Sequence, residues 1–477
     1  MPHQNELELT SDAFNALLDA VKERLTRYIE GMESHPLDLS HTVEQEYLRQ
    51  MIEPAPEEGT SIDSILSVIF EKGAVGSLNP TSPGFMGYVP GGGLLHAGIA
   101  DLIANALNRY VGVVSVAPVF AQIESNVIRW FSEIIGYPAK ARGTLTSGGS
   151  LASLSAIVTA RHVKLGEQFL DGMIYVSDQV HHCVTKAALL AGFPRSNLRI
   201  IEADEHFRLS THAVKIAIDE DRKKGLRPFM VVGSAGTTNT GTIDPLYELH
   251  TLAEEEELWF HVDAAYGGFF RMTDRGRAQL NGLEMADSVV LDPHKTLFLP
   301  YGTGALLVRD GNHLRSAHSS TADYMPPMQE DDLVFDFCEL SPELTRPFRG
   351  LRAWLPIKMH GLSVFRKYLD EKLDLARWLQ SCIAEIPELE LIAPADLSIL
   401  AFAVRSNGRT LKERNKRTQA LLAAINKQNR VHLTGTTVKG LFIIRVAISV
   451  FRTHKEHIEL LLEEVKSAIH TVHEEVL

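Results

Sequence analysis

The chain reads as an α/β protein built on a mostly parallel sheet, followed by a smaller α+β unit. Three observations predict this. Short apolar runs alternate with helical ones through the middle of the chain: Met173 to Val176, Leu198 to Ile201, Phe229 to Val232, Leu258 to Val262 and Val289 to Leu291. Such alternation argues for parallel strands covered by helices on both faces. From about residue 361 the pattern changes to helix, strands and helix, with Ser398 to Val404 and Leu441 to Ile448 reading as strands. At 477 residues the chain also exceeds one ordinary core, so two or three units are expected. We expect a helical segment over 1–90, a large domain over 91–360 and a small domain over 361–477.

Composition excludes several classes. Hydrophobic residues at 45% and charged residues at 22% fit a globular enzyme. A formal charge of −13 argues against a nucleic-acid partner, since no basic stripe could dominate that field. The densest basic run, Arg409 to Arg417, reads as a solvated helix face. Cys183, Cys338 and Cys382 are widely spaced and odd in number, which fits a reducing compartment and no structural zinc. The polar start Met1 to Glu6 has no apolar signal core, and no apolar run reaches a membrane span. The expected location is the cytosol, away from membranes.

Taken in order, the first helix has Phe14, Leu17, Leu18, Val21, Leu25, Tyr28 and Ile29 at helical spacing behind Thr10. It ends near Gly31, and a second helix is expected over Ile62 to Phe70. Ser82 to Gly93 is rich in glycine and proline around Phe85 and Tyr88, which marks an irregular loop. Ala117 opens a helix carrying Trp130, Ile134 and Ile135. Gly143 to Ser150 then precedes a helical run from Leu151 to Lys164. Small residues before a helix start let backbone N–H groups surround a phosphate. The run lacks GxxxxGK, so it is no nucleoside-triphosphate loop.

Asp244 is expected to cap the helix that follows the loop Gly236 to Thr242. Ala305 to Val308 follows Lys295 too closely for a helical crossover, so that strand should run antiparallel to its neighbours. Ala317 to Asp332 is polar and carries prolines, the profile of a lid loop. Arg346 to Trp354 opens a long helix, with its arginines read as salt-bridge partners. The last helix, with Ile458, Leu461, Leu462, Val465, Ile469, Val472 and Val476 as its stripe, is expected to start in a Thr453-His454-Lys455-Glu456 capping box.

The chemistry concentrates in two strand ends. Leu291-Asp292-Pro293-His294-Lys295 places a lysine just after an apolar strand, where α/β sheets hold ligands. A desolvated lysine there can form a Schiff base with a carbonyl cofactor, although a surface lysine would look alike. Upstream, His261-Val262-Asp263-Ala264-Ala265 ends another apolar strand. An Asp at one strand end and a lysine one strand later suit pyridoxal phosphate.

With these motifs the chain resembles the pyridoxal-phosphate-dependent amino-acid decarboxylases of the aromatic-amino-acid, glutamate and histidine type, along nearly its whole length. The resemblance implies the type-I fold of those enzymes, with a mostly parallel seven-stranded sheet. It implies that Lys295 holds the cofactor, Asp263 pairs with its ring nitrogen and Ala265 lies under the ring. His181, after Ser177-Asp178-Gln179, would stack on that ring. Gly149 and Ser150 would hold the phosphate, and Thr238 and His294 would also touch the cofactor. Tyr88 and Pro90 would line the substrate side, and Tyr324 would be the catalytic tyrosine of a closing loop.

The resemblance further implies a homodimer, with the N-terminal helices lying across the partner. Decarboxylation of an L-amino acid to its amine is the expected activity. Tyr88 and Phe85 lean toward an aromatic substrate, while glutamate, aspartate, histidine and diaminobutyrate stay open. An aminotransferase or aldehyde synthase shares the lysine and aspartate; a non-catalytic relative fits Lys295, Asp263, His181 and Tyr324 less well. One departure stands out: the family often has asparagine where this chain has Asp292. A carboxylate beside a phosphate would repel it unless turned away or neutralised.

Overall fold

Among the residues described in the computed structural model, 7–33, 35–320, 328 and 335–475, two sheets organise the chain. The larger has seven strands: β1 (Arg142–Thr146), β2 (Gly172–Ser177), β3 (Leu198–Ile201), β4 (Arg227–Ser234), β5 (Trp259–Asp263), β6 (Ser288–Leu291) and β7 (Gly304–Val308). Their order across the sheet is β1-β7-β6-β5-β4-β2-β3. β2 to β6 pair in parallel, whereas β7 runs antiparallel to both β6 and β1. The expected reversal after Lys295 is therefore present. Because β7 reverses between them, β1 points the same way as β6, and six carboxyl ends, those of β1 to β6, share one edge.

β1 is the strand that the apolar-run reading passed over, since Arg-Gly-Thr-Leu-Thr offers one large apolar residue. Its pairing with β7 explains it. Thr144 and Thr146 are buried, and a Cβ at Gly143 would come within 2.4 Å of the Leu306 carbonyl. Only glycine permits that approach.

The second sheet is antiparallel, in the order β10-β11-β9-β8. Its strands are β8 (Leu389–Ala393), β9 (Ile399–Val404), β10 (Thr434–Val438) and β11 (Leu441–Ala447). Leu379, Ile383, Phe402, Ile444, Ile458 and Val465 form its core with the flanking helices. Two helices follow Arg349, Gly350–His360 and Leu362–Ala384, and Gly361 at φ +72° separates them where the sequence pattern changes.

Two capping expectations are corrected. Asp244 does not cap a helix: its carboxylate accepts the backbone N–H groups of Leu209 at 2.7 Å and Ser234 at 2.8 Å. It ties two loops to the end of β4, and burial pushes its carboxyl up to about 6. At the last helix, Lys455–Glu475, the Thr453 hydroxyl donates instead to the Pro83 carbonyl at 2.7 Å. The helix starts one residue later, and His457 Nδ1 takes the His454 N–H at 3.1 Å. A complete capping box occurs elsewhere, at Thr410 and Glu413.

The first helix, Ser11–Glu30, is capped by Thr10 and has no buried residue. Phe14, Leu25 and Ile29 are exposed along its apolar stripe. No helix among the described residues is long and apolar enough to cross a membrane.

The arginines before Gly350 brace the edge strand. Arg346 forms a fully buried ion pair with Glu124 and donates to the Leu145 carbonyl at 3.0 Å. Arg349 reaches the same carbonyl at 3.3 Å and pairs with Glu343 at 2.8 Å. Glu124 also accepts the Gly350 N–H at 2.8 Å. Removing one buried partner strands the other, at a cost of about 3–5 kcal/mol. Arg346→Leu should therefore unfold distinctly earlier in urea than the parent. A midpoint unchanged within error would show that the pair does not brace β1.

Candidate active site

The shared edge of β1, β2, β4, β5 and β6 opens into a cavity of about 550 Å³. Each strand delivers its residues through the turn that follows. Gly149 and Ser150 stand at the start of the helix Gly149–Leu165 after β1, and His181 caps the helix His182–Leu190 after β2. Thr238 follows β4, Asp263 and Ala265 end β5, and His294 and Lys295 follow β6. All of these line the one cavity, as does Tyr88. Pro90 is buried and is not among the lining residues; Val89 forms that part of the wall. Tyr324 lies outside the described residues.

The register of β5 with β6 brings the two charged residues together. Asp263 pairs with Val290, and the Asp292 N–H reaches the Ala265 carbonyl at 3.2 Å. Pro293 then starts a single helical turn, Pro293–Thr296, closed by Lys295 N–H to the Asp292 carbonyl at 2.8 Å. That turn sets Asp292 and Lys295 on one side, with Oδ2 and Nζ 3.0 Å apart. Burial favours the neutral amine. The carboxylates of Asp292 and Asp263 outweigh it and hold Lys295 above the ordinary lysine value.

His181 is fixed from several directions. Its Nδ1 accepts the Cys183 N–H at 3.3 Å, so a neutral ring carries its proton on Nε2. Ser177 Oγ accepts the Gln179 N–H at 3.0 Å, and Asp178 accepts the Ala203 N–H at 3.1 Å. Gln179 in turn accepts from Asn239 at 3.1 Å. Burial pushes His181 below the ordinary imidazole value, against the pull of Asp263. Beside it, burial raises the Cys183 thiol to about 12, so it stays protonated at neutral pH.

The start of the helix Gly149–Leu165 can seat an anion. Its first N–H groups have no partner within the helix, and its dipole favours negative charge. Gly149 keeps the seat open: a Cβ there would stand 3.1 Å from Asp292 Oδ2. Asp292 is only 3% exposed, and its Oδ1 has no hydrogen-bond partner. These donors fit an aromatic aldehyde bearing a phosphate. Lys295 can take the aldehyde, Asp263 the ring nitrogen, His181 and Ala265 the ring faces, and the helix start the phosphate.

One lining residue escaped the sequence reading. Arg445 on β11 donates through Nε to the Asn239 carbonyl at 3.0 Å and through Nη1 to Thr434 at 3.2 Å. Its Nη2 is buried without a partner. Burial lowers this guanidinium to about 10. The available signal was an arginine inside the apolar strand Phe442-Ile443-Ile444-Arg445-Val446-Ala447. A charge at an inward strand position must be paired or hydrogen-bonded by its surroundings.

The chain is similar to known proteins along nearly its whole length. The pyridoxal-dependent decarboxylase conserved domain matches residues 45–405. An aromatic-L-amino-acid decarboxylase from Bacillus atrophaeus is 31% identical, covering 97% of this chain and 96% of its own. A phenylacetaldehyde synthase from Arabidopsis thaliana is 26% identical over 93% of this chain and 94% of its own. Among solved structures, Catharanthus roseus tryptophan decarboxylase in complex with L-tryptophan superposes with a TM-score of 0.88. It is 26% identical and covers 97% of this chain and 99% of its own.

Proposed function

Since this chain belongs to the pyridoxal-dependent decarboxylase family, we propose that it converts an aromatic L-amino acid into the corresponding amine and carbon dioxide. The observation that carries the substrate reading is the charge inventory of the cavity. Its described lining holds two strong cations, Lys295 and Arg445. Lys295 is committed to the cofactor, which leaves one guanidinium for the α-carboxylate. An acidic side chain would need a second buried cation. The remaining substrate wall is Tyr88, Val89 and Ile399, which suits a ring. Phe85, stacked on His432 at 5.0 Å, backs that wall.

Bound pyridoxal phosphate supplies the electron sink for breaking the bond to the carboxylate. The protein's part is to orient and to place protons. Asp263 would keep a proton on the ring nitrogen of the bound cofactor, because an adjacent carboxylate favours the charged form. His181, held neutral with its proton on Nε2, fixes the ring plane. Arg445, itself fixed by Asn239 and Thr434, turns the substrate carboxylate through its free Nη2–H. Tyr324 is the proton donor at the α-carbon in this reading, and a phenylalanine there would favour aldehyde over amine.

Purified protein supplied with pyridoxal phosphate and single amino acids tests this directly. Amine and carbon dioxide should form fastest from tryptophan, tyrosine, phenylalanine or a hydroxylated relative. Arg445→Met should lower kcat/KM by about 10–100-fold, the range of one charge-assisted hydrogen bond. Tyr324→Phe should shift product from amine toward aldehyde with oxygen uptake. Preference for glutamate or aspartate would overturn the substrate reading.

The active unit is a homodimer in this reading. The first helix leaves its apolar stripe unburied, and the helix Leu95–Leu107 separately exposes Leu95, Ile99, Leu102, Ile103 and Leu107. Exposed apolar helix faces of this kind mark an interface. Sedimentation at micromolar concentration should give twice the chain mass; a fully active monomer would contradict it.

A further inference from the structure

We propose that Asp292 makes occupation of the phosphate seat proton-linked: the carboxylate and an incoming divalent anion share the start of the helix Gly149–Leu165, and a proton taken up between Asp292 Oδ2 and His294 Nε2 neutralises the clash. The inference rests on the cofactor reading above and concerns a residue that reading left without a role.

The geometry leaves Asp292 little room to turn away. Its backbone is held on both sides, by its own N–H to the Ala265 carbonyl at 3.2 Å and by Lys295 N–H to its carbonyl at 2.8 Å. Its side chain is 5% exposed, and a Cβ on Gly149 would lie 3.1 and 3.3 Å from its two oxygens. Oδ2 serves Lys295 at 3.0 Å, while Oδ1 is buried with no partner. A buried carboxylate packed against the helix start, with one oxygen lacking a donor, stands beside the seat that a phosphate needs. A neutral side chain of the same shape would bring no charge there.

The proton has a place to reside. His294 Nδ1 is 2.6 Å from the Thr303 carbonyl, which can only accept, so Nδ1 carries hydrogen. Nε2 is then left facing Asp292 Oδ2 at 3.6 Å. A proton from solvent shared between these two atoms turns a carboxylate beside a dianion into a neutral or bridged pair. The other titratable groups around the cluster do not offer this. Lys295 is already an ammonium, and Cys183 and Tyr301 are held protonated by burial. His181 has its Nδ1 committed to the Cys183 N–H, and Asp263 adds a further negative charge from β5.

The sign follows from linkage. If the anion binds with one extra proton, its affinity falls as pH rises, by up to tenfold per pH unit, wherever the free cluster lacks that proton. Sulfate is the probe, because it stays divalent near neutral pH and cannot itself supply the effect. Calorimetric titration of the purified protein with sodium sulfate between pH 6 and 9 should show this slope. Runs in two buffers of different ionisation heat should report about one proton taken up.

Asp292→Asn should bind sulfate at least tenfold more tightly at pH 9, with little slope and almost no proton uptake, the scale of one neighbouring charge. His294→Gln should also flatten the slope, which guards against misfolding of a single variant. Pyridoxal 5′-phosphate must displace the sulfate; if it does not, the seat is wrongly assigned and the cofactor reading falls with the inference. Displacement together with a pH slope that persists unchanged in Asp292→Asn would overturn the inference alone.

Discussion

The parallel pairing of β5 with β6 is the constraint from which the site follows. A parallel neighbour ends on the same edge, so residues just past the two strands meet without any long loop. Asp263 ends one strand, Lys295 sits one helical turn past the other, and Asp292 lies between them. Antiparallel pairing would have sent these groups to opposite edges. β7 then reverses direction, and this lets β1 bring its glycine-rich turn to the same edge as Lys295. The glycine-rich turn and the lysine are neighbours because of one reversed strand.

Electrostatics in the cavity are balanced locally. Two carboxylates, Asp263 and Asp292, face the partly buried ammonium of Lys295. The pairing keeps Lys295 charged until chemistry requires otherwise, while the neighbouring imidazole and thiol are kept neutral. Around this cluster the scaffold uses charge as bracing. Arg346 and Arg349 converge on one carbonyl of β1, the strand whose following turn lines the cavity. Arg445 performs the same service from the second sheet, with one N–H left for an occupant.

Much of this was legible in the sequence. Apolar runs located β2 to β7 because a strand buried on both faces must be continuously apolar. Asp263 and Lys295 were legible as polar residues at the ends of such runs, whereas His181 was singled out only by the family resemblance. β1 was not, since a strand held by backbone pairing and buried threonines leaves no apolar signature. Asp244 and Thr453 read as helix caps because local spacing is all that a sequence displays. Their partners, the N–H groups of Leu209 and Ser234 and the carbonyl of Pro83, are remote in the chain. Arg445 was missed for the same reason: its neighbours Asn239 and Thr434 belong to two different sheets' loops and strands. Asp292 was flagged as a departure, but only its distance to Lys295 reveals how its charge is balanced.

The account turns on Lys295 as the residue that carries the cofactor, and one measurement addresses that directly. Protein loaded with pyridoxal 5′-phosphate is reduced with borohydride, digested, and its peptides are sequenced by mass spectrometry. The phosphopyridoxyl group should be found on Lys295, in the peptide containing Asp292-Pro293-His294, and nowhere else at comparable yield. Labelling of a different lysine, or no stable label after full loading, would contradict the account.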